Sequence, residues 1–290
     1  MKIYYNGEFL NDHEVKISPF DHGFLYGLGV FETFRIYNGH PFLLFDHLKR
    51  LRKSLKELKI EWNLLDEEIQ TILRELIERN EIKDAYIRLN ISAGEGEIGL
   101  YTGEYTNPNT IIFIKPMHES NIVEKEGVIL NTPRNSPEGK QRLKSHHYLN
   151  NIIGKREIGS SPSVEGIFLT KEGFLSEGIV SNLFFIKQDK LYTPHVDTGI
   201  LNGITRQFVI QWAKSKNISV EEGFYKEEDL LNADEIFISN SIQEIIPVTT
   251  IGEHFFKVNR NSLMKELQKD YRFYRESLLS MTEIERSEQK

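Results

Sequence analysis

Arg142-Leu-Lys-Ser-His-His-Tyr-Leu-Asn-Asn151 places a lysine, Lys144, two residues after an arginine and directly before two imidazoles. Residues 149–158 read as a helix, and Arg134-Asn-Ser-Pro-Glu-Gly-Lys140 upstream is loop material by its Asn, Pro and Gly content. A lysine at such a loop-to-helix junction can be desolvated and crowded by cations, which makes its amine nucleophilic. The alternative is a solvated lysine, because Lys is almost never buried without a partner. Lys144 gains meaning only from partners elsewhere in the chain.

Outward from this stretch the chain mixes strands and helices. Toward the C-terminus, strands at 166–170 and 174–176 pair around Lys171-Glu-Gly173, and 182–187 pairs with 190–193 around Gln188-Asp189. Gly203-Ile-Thr-Arg206 opens a helix carrying Phe208, Val209 and Trp212, strands follow at 218–225 and 234–239, and 275–290 reads as a charged, frayed end. Toward the N-terminus, 127–131 is a strand, the polar segment 116–126 is the expected linker, and 110–114 is a buried strand. Residues 86–92 alternate strictly, with Ile87, Leu89 and Ile91 facing one way and Tyr86, Arg88, Asn90 and Ser92 the other. Asp66 starts one helix, with Ile69, Ile72, Leu73, Leu76 and Ile77 as its apolar stripe. Asp46 is read as the N-cap of another, with Leu48, Leu51, Leu55 and Leu58 at helical spacing. Asn6-Gly7 and Asn38-Gly39 mark two hairpins, and a glycine-punctuated loop from Ser18 runs into a strand near Phe31. Because strands and helices do not alternate as βαβ units, a mixed α/β (α+β) fold fits better than a doubly wound sheet.

Composition limits the function. The 290 residues suffice for one large or two modest domains. With 36 basic against 43 acidic side chains, a net charge of −7 favours neither nucleic acid nor anionic membrane as a partner. Cysteine is absent, which excludes disulfides, thiolate metal sites and a cysteine nucleophile. No segment has signal-peptide or membrane-spanning character, so a cytoplasmic protein is expected.

Several motifs carry chemistry. Gly94-Glu-Gly-Glu-Ile-Gly99 matches a dinucleotide pattern, but the turn-rich run after it cannot supply the helix that pattern needs, so a mobile loop is expected. The histidines lack metal-ligand spacing, and no metal is expected. At Leu201-Asn-Gly-Ile-Thr-Arg206, the amides of Ile204 and Thr205 suit a phosphate, or simply start a helix. Glu177, in Ser176-Glu-Gly178 at a strand end, either satisfies nearby amides or pairs with a buried cationic nitrogen. Ser241 lies at another strand end, and Arg50 is on a helix whose neighbours Lys49 and Arg52 are solvated types.

Together these pieces resemble the pyridoxal-phosphate enzymes of the branched-chain aminotransferase fold, fold type IV. The matching runs are Asn6-Gly7, 21–32, His47-Leu-Lys-Arg-Leu51, Lys144, 176–184, 201–206 and 239–248, in family order. The resemblance implies a smaller N-terminal α/β domain (1–117), a linker (118–126), and a larger C-terminal domain with a barrel-like sheet (127–290). It also implies a homodimer acting on a small molecule, with pyridoxal 5'-phosphate as cofactor. Lys144 would hold the cofactor covalently and later shuttle protons, and Glu177 would keep the pyridine nitrogen protonated. Arg50, the Ile204 and Thr205 amides and Ser241 would bind its phosphate, while Tyr148 is a candidate for its phenolic oxygen.

Within the family the lyase branch is most similar, which implies cleavage of 4-amino-4-deoxychorismate to 4-aminobenzoate and pyruvate. Branched-chain transaminases resemble Phe-Glu-Gly after the glycine loop and D-amino acid transaminases carry valine at the third place, whereas this chain has Phe31-Glu32-Thr33. A threonine hydroxyl there could help protonate the leaving enolpyruvate. Arg88, Arg142 and His146 are candidates for pairing with the substrate's two carboxylates. The alternative activity is a branched-chain or D-amino acid transaminase.

Overall fold

The computed structural model describes residues 1–118, 122–259 and 262–284. The chain divides into two compact units. The first comprises Met1–His118 with Leu143–His147 and Arg275–Ser280; the second comprises Glu119–Arg142, Tyr148–Tyr274 and Met281–Lys290.

In the first unit, β1 (Lys2–Tyr5) and β2 (Glu8–Asn11) form the expected hairpin, with Asn6 and Gly7 both at positive φ, as a tight two-residue turn requires. The short α1 (His22–Tyr26) is capped by Asp21, whose carboxylate accepts from the Gly23 amide. Then come β3 (Gly29–Tyr37), β4 (His40–Pro41), α2 (Leu44–Glu57), α3 (Asp66–Asn80), β5 (Ala85–Ser92) and β6 (Asn109–Pro116). The strands form one sheet in the order β2-β1-β6-β5-β3-β4, antiparallel throughout. The period-2 pattern of β5 explains the layering. Ile87, Leu89 and Ile91 join Leu48, Leu51 and Leu55 of α2 and Ile69, Leu73 and Leu76 of α3 in one core, while Arg88 and Asn90 stay half-buried on the opposite face.

Two sequence expectations change here. Asp46 is not the cap of α2. The helix begins two residues earlier, after Leu43 in a left-handed conformation (φ 54°), because the Leu43 amide is already bonded to the Leu278 carbonyl. Asp46 instead sits in the first turn, where a carboxylate still favours the helix dipole. Nor is 275–284 a frayed end: Leu278 is 3% exposed, and its carbonyl also lies 3.0 Å from His40 Nε2. Apolar Leu278 and Leu279 outweigh the charges around them. Residues 285–290, and 119–121 of the expected linker, lie outside the described residues.

The second unit contains β7 (Lys125–Ile129), α4 (Leu149–Ile158), β8 (Val164–Leu169), β9 (Leu175–Gly178), β10 (Asn182–Lys187), β11 (Lys190–Pro194) and α5 (Ile204–Ser215). It continues with β12 (Val220–Gly223), α6 (Glu227–Leu231), β13 (Glu235–Asn240), β14 (Glu244–Ile251), β15 (His254–Phe255) and α7 (Leu263–Tyr274). Its mixed sheet runs β12-β11-β10-β13-β14-β7-β8-β9, with β15 on β14. Because β9, last in that order, also lies against β10 and β11, the sheet curls back on itself. Leu183, Phe185, Ile236, Ile238 and Val248 fill the curl. The fold is mixed α/β, as the intermixed strands and helices of the sequence predict.

Candidate active site

In the first unit the lysine stretch runs antiparallel beside β3 through an isolated bridge. The Phe31 amide donates to the Lys144 carbonyl (2.9 Å), the His146 amide donates to the Gly29 carbonyl (3.0 Å), and Val30 bridges Ser145. Val30 faces the core, so alternation puts Lys144 and His146 on the other face, with Gly29, Phe31 and Thr33. The register of β5 adds Arg88 opposite Thr33 and Asn90 opposite Phe31. The Phe31 ring carries two cations, with Arg88 Cζ 3.7 Å and Lys144 Nζ 4.6 Å from its centroid. The Thr33 hydroxyl makes no hydrogen bond among the described residues.

On the opposite face of β3, Glu32 is 1% exposed beneath α2. Arg50 donates to it through Nε (2.8 Å) and Nη2 (2.6 Å), and His47 Nδ1 lies 2.7 Å from the same carboxylate. Burial pushes the Glu32 carboxyl upward, but Arg50 and His47 outweigh it and bring it down to about 2. Burial lowers His47, against the pull of Glu32. Arg50 is thus not a solvated helix residue: a bidentate fork fixes its guanidinium.

In the second unit, Glu177 lies in β9, next to its last residue, and is 4% exposed. Its Oε1 accepts from Arg134 Nε (2.8 Å), and its Oε2 accepts from the Leu201 amide (3.0 Å) and Asn182 Nδ2 (3.5 Å). Asn150 and Asn151, on α4, hold the other side of Arg134. Arg142 Nε lies 3.7 Å from Glu177, while the guanidinium donates to the carbonyls of Gly199 and Asn135. Burial and the neighbouring Arg134 lower Arg142 to about 10. Arg134 was missed as a partner from sequence, where it counted only as loop. The available signal was that a glutamate flanked by apolar residues needs a counter-charge.

The start of α5 is built from small groups. Gly203 is its N-cap and offers no side-chain cap. A Cβ on Gly203 would come within 2.1 Å of Asn182 Oδ1, so any larger residue there must displace that carboxamide. The helix amides there, with Thr205 Oγ1 and Ser241 Oγ 3.2 Å apart, form a donor cluster suited to an anion. Tyr148, half-buried, precedes α4. Among the described residues no group of three His, Cys, Asp or Glu could hold a metal ion.

Comparison with known proteins gives concordant matches. The profile of the amino-transferase class IV family matches residues 29–251. The chain is 51% identical over 254 residues to the aminodeoxychorismate lyase of Bacillus subtilis, covering 87% of each chain. It is 33% identical over 251 residues to a D-alanine aminotransferase of Bacillus licheniformis, covering 87% of this chain and 88% of the relative. Among solved structures, the branched-chain amino acid aminotransferase of Escherichia coli superposes with a TM-score of 0.85 over 94% of both chains at 28% identity.

Proposed function

The chain belongs to the amino-transferase class IV family, and on that premise we propose that it is a pyridoxal-phosphate-dependent lyase converting 4-amino-4-deoxychorismate to 4-aminobenzoate and pyruvate. The observation that carries this reading is the 51% identity to an aminodeoxychorismate lyase over 87% of both chains. The Phe31-Glu32-Thr33 run supports it.

The donor set suits the cofactor. The α5 amides with Thr205 and Ser241 match a phosphate. When bound, pyridoxal phosphate supplies an electron sink. Lys144 would hold it covalently through Nζ and afterwards carry protons on the same atom. Glu177, held in position by Arg134, would pair with its ring nitrogen. Arg50, oriented by Glu32, and the Ile204 and Thr205 amides with Ser241 would hold the phosphate, and Tyr148 would face its phenolic oxygen. In the reaction the C4 proton leaves, the C–O bond to the enolpyruvyl group breaks and the ring becomes aromatic; the enol takes a proton and ends as pyruvate. The chain's task is proton placement, with Lys144 Nζ taking the C4 proton and the Thr33 hydroxyl relaying one to the ether oxygen. Arg88 and Arg142 recognise the substrate carboxylates, and His146 lines the same face as Arg88.

The family resemblance and the net charge of −7 support a cytoplasmic homodimer acting on a small molecule, without nucleic acid or membrane as partner. No described helix is long and apolar enough to cross a membrane. Light scattering tests the dimer. The activity is tested by supplying the loaded protein with 4-amino-4-deoxychorismate, which should yield equimolar 4-aminobenzoate and pyruvate. Amino transfer to a 2-oxo acid without pyruvate release would assign it to the transaminases instead.

A further inference from the structure

The face of β3 and β5 that carries Lys144 has a hydrogen-bond chain with a fixed direction. Arg88 can only donate, and its Nη2 lies 3.3 Å from Asn90 Oδ1. This turns the carboxamide oxygen of Asn90, rather than its NH2, toward Arg88. The same oxygen lies 3.1 Å from His146 Nε2. An oxygen accepts and never donates, so His146 must carry a proton on Nε2. The imidazole has little freedom to choose otherwise. Its ring sits over Gly29, where an added Cβ would meet Cε1 at 2.3 Å and Nδ1 at 2.6 Å, and it stacks on Phe31 at 6.4 Å between centroids. The His146 ring and the Ile91 carbonyl oxygen, the latter at 2.6 Å, together occupy the side-chain space of Gly29.

The charge of His146 follows from what surrounds it. Arg88 faces it from β5, Lys144 and His147 come from its own segment, and Asp21 at the start of α1 is the carboxylate that pulls on it. Burial first and Arg88 second hold the imidazole down at about 4, against the opposing pull of Asp21. A face already carrying Arg88 and Lys144 over one aromatic ring disfavours a third cation.

We propose that Asn90 is a positioning residue that fixes His146 as the uncharged Nε2–H imidazole, so that carboxylate recognition on this face falls to Arg88 and not to the histidine. The amide is suited to this task. A carboxylate at position 90 would also accept from both neighbours, but it would draw a second proton onto His146. An apolar side chain would release the tautomer and leave Arg88 without its partner.

The consequence for the reaction rests on the lyase reading, whereas the tautomer does not, so the two are tested separately. In the pyridoxal-phosphate-loaded protein with 15N-labelled histidine, long-range 1H–15N NMR reads the protonation of each ring nitrogen, and the His146 resonances are assigned by their loss in His146→Gln. His146 should show Nε2–H with an unprotonated Nδ1 from pH 8 down to about pH 5. Asn90→Asp, nearly isosteric, should raise its midpoint by more than one pH unit, and Asn90→Leu should let Nδ1–H appear. A His146 that titrates near 6.5 in the parent protein, or one indifferent to both substitutions, overturns the assignment. In steady-state kinetics, Arg88→Gln should raise KM for the dicarboxylate substrate at least tenfold, and well beyond any rise in His146→Gln. Equal increases in KM for the two variants would overturn the division of roles while leaving the tautomer result standing.

Discussion

Thr33 separates two chemistries available to one cofactor. Its hydroxyl lies on the face that carries Lys144 and Arg88 and makes no hydrogen bond among the described residues, so no structural contact would be lost with it. Thr33→Val keeps shape and β-propensity and removes only the proton relay. Lyase turnover should fall roughly ten- to a hundredfold, the size of a general-acid contribution at its low end, with cofactor absorbance intact. Unaltered pyruvate release would return Thr33 to ordinary strand duty. Glu177 is bound more tightly into the fold than a purely catalytic carboxylate would be. Its oxygens accept from Arg134, Asn182 and the Leu201 amide, all donors, so in Glu177→Gln the new NH2 must face a donor and Arg134 loses its counter-charge. Beyond slowing catalysis, that substitution should destabilise the protein by about 3 kcal/mol in urea unfolding, the cost of breaking one buried ion pair. An unchanged unfolding midpoint would mean that Arg134 finds its compensation in Asn150 and Asn151.

The elements themselves were readable wherever local chemistry decides. Asn6-Gly7 fixes its hairpin, the alternation of 86–92 fixes the two faces of β5, and α4 occupies Leu149–Ile158 as its sequence indicates. Long-range partners were not readable. The start of α2 depends on a carbonyl 235 positions away, at Leu278, and the counter-charge of Glu177 comes from a loop arginine 43 positions upstream. The β3 partner of the lysine segment was hidden too, because three residues are too few for a period-2 signal. At the site, residue types were legible but their bonding was not. Sequence shows a glutamate after Phe31, and only packing shows that it holds both Arg50 and His47. The start of α5 combines both kinds of information, since Gly203 is legible as a glycine and the constraint on it comes from Asn182. In Gly203→Ala the new methyl must displace the Asn182 carboxamide, which donates to the Leu201 carbonyl and to Glu177. We expect pyridoxal phosphate affinity to drop at least tenfold by equilibrium dialysis, with smaller change in the rate at saturating cofactor. An unaffected dissociation constant would separate the α5 start from the phosphate.

Acid should unfold the protein in stages, because the perturbed groups titrate in separate windows. Glu32 is depressed to about 2, so its contribution is complete above the ordinary carboxylate value of 4.5 and disappears as pH falls from there toward 2. The histidines act earlier. His146 stays uncharged in the folded state down to about 4, whereas in the unfolded chain it takes up a proton near 6.5. Between those values the unfolded state binds more protons, so stability falls as pH falls through that window, and buried His47 acts in the same direction. Glu235 works oppositely: burial raises its carboxyl, so its contribution is present below 4.5 and is lost as pH rises through its folded value. Of these groups, His146 can be tested without emptying the core, since a glutamine amide can donate to Asn90 as Nε2–H does. The measurement is the unfolding free energy in urea at pH 7 and again at pH 5, for the parent and for His146→Gln. Taking the difference between the two pH values cancels whatever packing the substitution disturbs. The parent should lose about 1–2 kcal/mol more than the variant between pH 7 and pH 5, the linkage expected when a histidine charges only in the unfolded chain. The variant should still lose some stability over that range, because His47 remains. Equal losses would show that His146 takes up its proton in the folded protein as readily as in the unfolded one, and the face beside Lys144 would then be cationic rather than neutral at that position.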